Sequence, residues 1–411
     1  MYIPRKLEDA ILKQVDSKEI IAVIGPRQCG KTTLLEHIYN KMKEQSVFFS
    51  FEDKKLLDLF VHDIDGFINL YIKPYRHIFI DEFQYAKRGG KHLKYIFDSE
   101  WRKIFISGSS SIDLAVQTVK YLVGRVFVFS LFPLDFEEFL SFSDPKICSL
   151  YKKNKIDLKK GGAEGKNILT AGATKRLSSL YEEYVVYGGY PRVITSSDIE
   201  TKKMVLKNIY NTYFLREVKD ILGLVDDYKL AQMIKALSLQ VGNLIEYNEI
   251  SKVSELSYQT VKGYLNFLQK TFICDFPKPF FKNKRTEIVK NPKVYFFDAG
   301  LRNYVIDDFR AIGKRPDGGA LLENGLTMQL QKEEIPFHFW RTKNQSEIDF
   351  VLDLPDSRKV AIEVKKKADQ SDLSSRSFKE FEGKYKEIPL LLASFEWEQA
   401  LFGKSVFLPL L

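Results

Sequence analysis

The sequence predicts an α/β chain whose N-terminal part is a parallel sheet with helices on both faces. Three observations carry this. Short apolar runs alternate with helical patterns over residues 1–143, as parallel strands joined by crossover helices require. A glycine-rich turn, Gly25-Pro26-Arg27-Gln28-Cys29-Gly30-Lys31-Thr32-Thr33, stands between the first apolar run and the first helical stretch. A further run, His77–Ile80, ends on Asp81 and Glu82, which places two carboxylates at the edge where α/β sheets bind ligands.

In order, Ile20–Ile24 reads as the first strand and a helix opens at Lys31. Val47–Phe51, His77–Ile80, Lys103–Ser107 and Val126–Leu131 read as the remaining strands of the sheet. Residues 144–178 are rich in Lys, Asn, Gly and Ser and read as a mobile connector or surface insertion. Residues 179–241 are helical, interrupted at Gly188-Gly189-Tyr190-Pro191, where Gly and Pro stop one helix before the next begins. The pattern of 242–300 predicts a winged helix. Glu249–Leu256 is a short amphipathic helix, and Ser257 caps a second with Val261, Leu265 and Leu268 on one face. Phe272–Phe276 and Lys293–Phe297 are the two wing strands. Residues 301–411 open with a helix near Leu321–Lys332, followed by strands at Phe337–Trp340, Glu347–Leu354, Lys359–Lys365 and Pro389–Ala393.

The bulk composition bounds the answer. A chain of 411 residues exceeds what one core usually holds, so two or three domains are expected. No run approaches the roughly 18–20 apolar residues of a membrane helix, the start lacks a secretory pattern, and no membrane partner is expected. Cys29, Cys148 and Cys274 are odd in number and widely spaced, which suggests neither a disulfide framework nor a metal cluster and fits a cytoplasmic setting. With 63 Lys+Arg against 54 Asp+Glu the net charge is +9, compatible with nucleic acid or with a lysine-rich surface.

Gly25–Thr32 matches G-x-x-x-x-G-K-[ST]. Its glycines let backbone N–H groups turn toward phosphate oxygens, and the following helix adds its positive end. On this reading Gly25–Thr33 hold ATP, Lys31 bridges the β- and γ-phosphates and Thr32 ligates Mg²⁺. Asp81 completes the Mg²⁺ shell and Glu82 is the general base for the attacking water. The bland alternative is a glycine-rich βα turn followed by a helix-capping Asp and a solvated Glu. Ile104-Phe105-Ile106-Ser107-Gly108-Ser109-Ser110 ends the fourth strand, and the Ser109 hydroxyl is the candidate for positioning the water, against an ordinary Ser-Gly turn. Arg125 either reaches the γ-phosphate, acts across a homo-oligomer, or forms a structural ion pair. Cys29, beside amides and Lys31, is expected to be a reactive thiol whose alkylation blocks ATP.

The strings GPRQCGKTT, IFIDEFQ, ISGSSS, LVGRVFVFSLFPLDFEEF and YVVYGGYP together resemble a large group of archaeal and bacterial AAA-type P-loop ATPases that carry a C-terminal domain of unknown function. The resemblance implies an additional-strand P-loop core with sheet order 5-1-4-3-2, a helical lid at 179–241, a winged helix and a terminal α/β domain.

Two further sites follow. Tyr258, Gln259, Thr260, Lys262 and Asn266 decorate the exposed side of the second winged-helix helix, and Lys278, Lys282, Lys284, Arg285, Lys290 and Lys293 crowd the wing. That arrangement either contacts DNA or packs on a neighbour. At the C-terminal end, period-two spacing puts Glu363 and Lys365 on one strand face, Asp349 joins them across the sheet, and Glu323 adds a helix carboxylate. This layout resembles PD-(D/E)xK nucleases, which implies a restriction-endonuclease-like domain at 301–411. Glu323, Asp349 and Glu363 would then hold Mg²⁺, with Asp349, Glu363 and Lys365 catalytic. The domain is a metal-dependent nuclease, a nuclease-like binding module or a plain structural domain. The chain as a whole is either an ATP-driven switch acting on DNA or an ATP-dependent regulatory switch that binds a protein partner.

Overall fold

The computed structural model describes residues 2–87, 89–108, 121–160, 169–215, 228–281, 287, 290–397 and 404–411. The chain divides into two compact units, Met1–Leu134 with Lys270–Phe272, and Asp135–Gln269 with Ile273–Leu411.

The first unit is built on β1 (Ile20–Ile24), β2 (Ser46–Ser50), β3 (His77–Asp81), β4 (Lys103–Gly108) and β5 (Val126–Ser130). Their order is β2-β3-β4-β1-β5, all parallel, which is the expected 5-1-4-3-2 read from the other edge. β1 is apolar throughout because both its faces are covered. Ile20, Ala22 and Ile24 join a cluster with Phe49, Phe51 and Ile80, while Ile21 and Val23 meet Leu34, Leu35 and Ile38 of the Lys31–Lys41 helix. Parallel pairing has a geometric consequence. Ile24 is opposite Gly108 and Ser130, and Ser50 is opposite Asp81, so the strand C-termini share one edge. Arg125 lies at the other edge, where its carbonyl accepts from Ile20 N at 2.9 Å.

In the second unit, β6 (Cys274–Asp275) and β7 (Tyr295–Phe296) form a short antiparallel pair. The main sheet comprises β8 (Phe337–Arg341), β9 (Glu347–Asp353), β10 (Lys359–Lys367), β11 (Leu390–Glu396) and β12 (Ser405–Phe407), in the order β12-β11-β10-β9-β8. β8, β9 and β10 run antiparallel, and β10, β11 and β12 parallel. Helices at Tyr247–Ser254 and Tyr258–Lys270 precede the β6–β7 pair. The second is capped by Ser257, whose Oγ accepts from Thr260 N at 3.1 Å, and it buries Val261, Leu265 and Leu268 as its period requires.

Three boundaries differ from the sequence reading. The Phe136–Ser143 helix belongs to the second unit. Asp135 and Glu138 form a capping box, and Phe136 packs edge-on against Tyr151 and Tyr181. The segment read as a connector opens with a helix, Pro145–Asn154, that buries Cys148 and Tyr151; its low apolar content hid a narrow buried stripe. Residues 161–168 lie outside the described residues. Residues 242–300 and 301–411 share one unit, because the Asn324 amide on the Gly318–Lys332 helix accepts from Phe296 N at 2.7 Å and donates to Phe296 O at 3.0 Å.

The GGYP string is a close approach. Gly188 ends the Ala171–Tyr187 helix at φ 84°, and a Cβ there would sit 2.1 Å from Asp298 Oδ1. Asp298 Oδ2 accepts from Gly189 N at 2.7 Å, and Oδ1 accepts from Leu301 N at 3.0 Å. Gly188→Ala should therefore lower thermal stability by more than about 1 kcal/mol, through strain and collision. Gly263 is exposed within the Tyr258–Lys270 helix, and a Cβ there would have nothing within 4 Å. It gives the opposite sign: Gly263→Ala should stabilise by about 0.5–1 kcal/mol in the same melting experiment.

Candidate functional site

The phosphate loop turns out of β1 and into the Lys31–Lys41 helix. Gly25 takes φ 152° and Gly30 φ 100°, and a Cβ on Gly25 would meet Leu131 O at 2.0 Å, so this close backbone approach requires glycine. Lys31 is buried, and its Nζ donates to Gly25 O at 3.0 Å and Pro26 O at 2.8 Å. Thr33, Arg27 and Gln28 are exposed at the loop surface, and Pro26 is buried.

Asp81 ties the loop to the sheet. Thr32 Oγ1 donates to Asp81 Oδ2 at 2.7 Å, and Ser107 Oγ donates to Asp81 Oδ1. Glu82 follows in a left-handed backbone at φ 53°, with its N–H directed to Ser107 Oγ at 3.3 Å and its carboxylate accepting from Gln84. Burial pushes the Glu82 carboxyl above the ordinary glutamate range; the Gln84 hydrogen bond opposes this and the Asp81 charge adds to it.

Of the serines read at the end of β4, Ser107 is described and its hydroxyl reaches Asp81; Ser109, the residue singled out, lies outside the described residues. One contact here escaped the sequence reading. Arg5 clamps the loop from outside the motif. It is buried, with one guanidinium nitrogen donating to Cys29 O at 2.9 Å and the other to Phe132 O at 2.6 Å. No spacing rule links position 5 to the loop, so only the fold reveals it.

Two expectations are corrected. Arg125 sits at the opposite sheet edge, where its Nε donates to Asp98 at 3.1 Å and its guanidinium lies 5.7 Å from the Phe97 ring centre. Parallel strand direction removes it from this chain's own phosphate loop and favours the ion-pair reading. Cys29 is fully buried beside Ile11, Leu34 and Leu131, so the reactive thiol expected from its neighbours is a packed side chain shielded from reagents.

The second unit assembles a different cluster. β9 and β10 pair with Ile362 opposite Phe350, which brings Asp349 beside Glu363. Asp349 N points at Glu363 Oε2 at 3.4 Å, and Val364 N donates to Asp349 Oδ2 at 2.8 Å. Lys365 Nζ meets Glu363 Oε1 at 2.7 Å. Glu323, on the Gly318–Lys332 helix, accepts from Tyr295 OH at 2.6 Å. These four predicted residues thus come together in one region.

Two partners were not foreseen in that role. Glu347, two residues before Asp349 on β9, joins the cluster. Lys293, expected on a DNA-facing wing, is instead 1% exposed. Its Nζ lies 2.5 Å from Glu347 Oε1, 3.5 Å from Glu323 Oε2 and 3.9 Å from Asp349 Oδ1. Burial alone would lower the Lys293 pKa, but the field of Tyr295, Glu323, Asp349 and Glu347 outweighs it and holds the ammonium charged. Burial raises the Asp349 carboxyl, and Glu323 and Glu363 add to the rise. Burial also raises Glu363, against the pull of Lys365. Among the described residues no group of three or more His, Cys, Asp or Glu is arranged to hold a metal ion; here Lys293 stands among Glu323, Glu347 and Asp349. Of the other wing cations, Lys278 donates to Lys290 O at 2.8 Å, and Lys282, Lys284 and Arg285 lie outside the described residues.

Residues 17–140 match the family model described as an AAA domain. Sheet order, loop and acidic pair agree with that match, and the N-terminal unit has the fold of an AAA-type P-loop domain. Residues 178–311 and 318–410 match two models described as domains of unknown function, DUF8612 and DUF4143. An uncharacterised protein of Methanocaldococcus jannaschii is 24% identical over 355 residues, 84% of this chain and 74% of that protein. An uncharacterised protein of Haemophilus influenzae is 25% identical over 378 residues, 87% of this chain and 86% of that one. Among solved structures, the Aeropyrum pernix ORC2 protein in its ADP form aligns at 12% identity over 76% of this chain and 96% of that chain, TM-score 0.35. The Thermotoga maritima RuvB Holliday junction branch migration motor aligns at 13% identity over 66% of this chain and 89% of that chain, TM-score 0.29. Similarity at those scores carries no argument about this chain's partners. Among the described residues no helix is long and apolar enough to cross a membrane.

Arg5→Ala should free the loop carbonyl of Cys29 and the carbonyl of Phe132 beyond β5, and remove two buried charge-assisted bonds. Titration calorimetry should then show ATP affinity weakened by about tenfold or more; unchanged affinity would make Arg5 a packing residue only.

Proposed function

We propose that this chain is an ATP-hydrolysing AAA-type switch that acts on DNA. The observation that carries the reading is Asp81, whose two oxygens accept from Thr32 of the phosphate loop and Ser107 of β4. The first of these bonds joins the phosphate loop to the strand end that leads into Glu82. The residues suit ATP with Mg²⁺: Gly25–Thr33 would hold the phosphates through their amides, and Thr32 and Asp81 would hold the ion. Bound there, Mg²⁺ neutralises phosphate charge. Lys31, now on the carbonyls of Gly25 and Pro26, would turn to the β- and γ-phosphates. Glu82 accepts the proton of the attacking water, with Ser107 fixing its backbone.

Nucleotide state would bias the second unit between two arrangements. Support for DNA as the partner comes from the net charge of +9 and from the Tyr258–Lys270 helix, which exposes Tyr258, Gln259, Lys262 and Asn266 while burying its other face. A winged-helix role for 242–300 fits that helix and the β6–β7 pair. At the C-terminal end the seated Lys293 favours the second reading, a nuclease-like fold that cuts nothing and serves as a binding module, for DNA or for a protein partner.

Glu82→Gln should retain ATP binding while slowing hydrolysis by about 10²- to 10⁴-fold. Because burial raises the Glu82 pKa, the wild-type rate should fall as pH drops through a value above the usual glutamate range, where the carboxylate becomes protonated and can no longer act as base. A folded chain without ATP affinity would sink the proposal, and a rate that DNA leaves unchanged would remove its DNA component. In a plasmid-nicking assay with Mg²⁺, wild type, Asp349→Ala and Lys365→Ala should all give the same background. Nicking by wild type alone would establish a nuclease.

A further inference from the structure

We propose that Lys293 is the resident cation of the C-terminal carboxylate cluster, occupying the role of a divalent metal ion and making this site independent of metals. The inference deepens the non-cleaving reading of this end and is independent of the ATPase reading.

The ammonium comes from a chain segment unrelated to the E-x-K spacing. It precedes β7, and its backbone is pinned by a hydrogen bond from Lys293 N to Pro277 O at 3.1 Å and by a bridge to Leu244. The Phe339 ring centre lies 5.4 Å from Nζ, closing another side with an apolar wall. Placed this way, one lysine faces carboxylates from two elements: Glu323 on the Gly318–Lys332 helix, and Glu347 and Asp349 on β9.

One oxygen of each carboxylate has a further partner as well. Glu323 Oε2 accepts from Tyr295 OH, Glu347 Oε2 pairs with Arg341 at 3.0 Å, Asp349 Oδ2 accepts from Val364 N, and Glu363 Oε1 is held by Lys365. Four carboxylates thus face three cations, leaving little net charge to attract a hard dication, which prefers six or more oxygens free of competing protons. A buried ion pair persists only when both members stay paired. Removing the lysine should therefore expose unmet negative charge, and that vacancy is the site a metal would fill.

The test uses the full chain carrying Asp81→Asn, which removes an acidic ligand of the nucleotide site, without nucleotide. With Lys293 present, calorimetry should detect no Mn²⁺ binding at millimolar concentration, and the melting temperature should be the same in EDTA and in Mn²⁺. Lys293→Met should melt several degrees lower in EDTA and recover much of the loss in Mn²⁺; adding Asp349→Asn should abolish that recovery. Lys293→Arg, which keeps the charge, should remain indifferent to Mn²⁺ and guards against a methionine variant that does not fold. Mn²⁺ binding by the lysine-containing chain that depends on Asp349 would overturn the proposal, as would a folded Lys293→Met chain blind to Mn²⁺. The readouts are binding and melting, so failure here is distinguishable from nicking in the plasmid assay.

Discussion

A single carboxylate organises the P-loop unit. Asp81 is at the end of β3, a buried central strand, and both its oxygens are occupied, one by the helix that follows the phosphate loop and the other by β4. A buried carboxylate left without such donors would carry a heavy desolvation cost. The same bonds that satisfy it fix the loop, the acidic strand and the Ser107 hydroxyl in one geometry. The parallel sheet makes this possible, because its strands all deliver their C-terminal residues to one edge. The Gly25 and Gly30 conformations then let the backbone, rather than side chains, form the floor of the nucleotide site.

The second unit solves a harder electrostatic problem. Glu323, Glu347, Asp349 and Glu363 converge with limited access to water. Mutual repulsion there is relieved in two ways: cations are brought in close, and the Asp349 and Glu363 carboxyls shift toward protonation. The lysine that does most of this comes from the segment leading into β7. The segment leading into β7 is therefore bound to the C-terminal sheet by charge, while the Asn324 bridge ties β7 to the Gly318–Lys332 helix.

Much of this was legible from residues alone. The five strands of the N-terminal sheet, the loop and the acidic pair follow from apolar periodicity and one motif, since those signals are local; the strand order came only with the resemblance to a known family. The grouping of Glu363 with Lys365 followed from period-two alternation, while that of Asp349 with them rested on the strand register, which the antiparallel β9–β10 pair supplies. What stayed hidden was set by distance in the chain. Arg5 reaches Cys29 and Phe132, Lys293 reaches Glu347, and Arg125 is carried to the far sheet edge. A basic residue in a lysine-rich stretch gives no sign of whether it faces solvent or a buried carboxylate. Composition misled at 145–154 for a related reason: a helix needs only a stripe of apolar residues, and here the stripe includes Cys148 and Tyr151.

The burial of Cys29 has a consequence for how the phosphate loop behaves over time. Its sulfur is sealed between the loop backbone and the helix core, so a thiol reagent can reach it only during excursions in which that packing comes apart. The cysteine is thus a clock built into the nucleotide pocket. The rate at which it is modified measures how often the loop opens, and a ligand that closes the loop slows that clock without ever touching the sulfur.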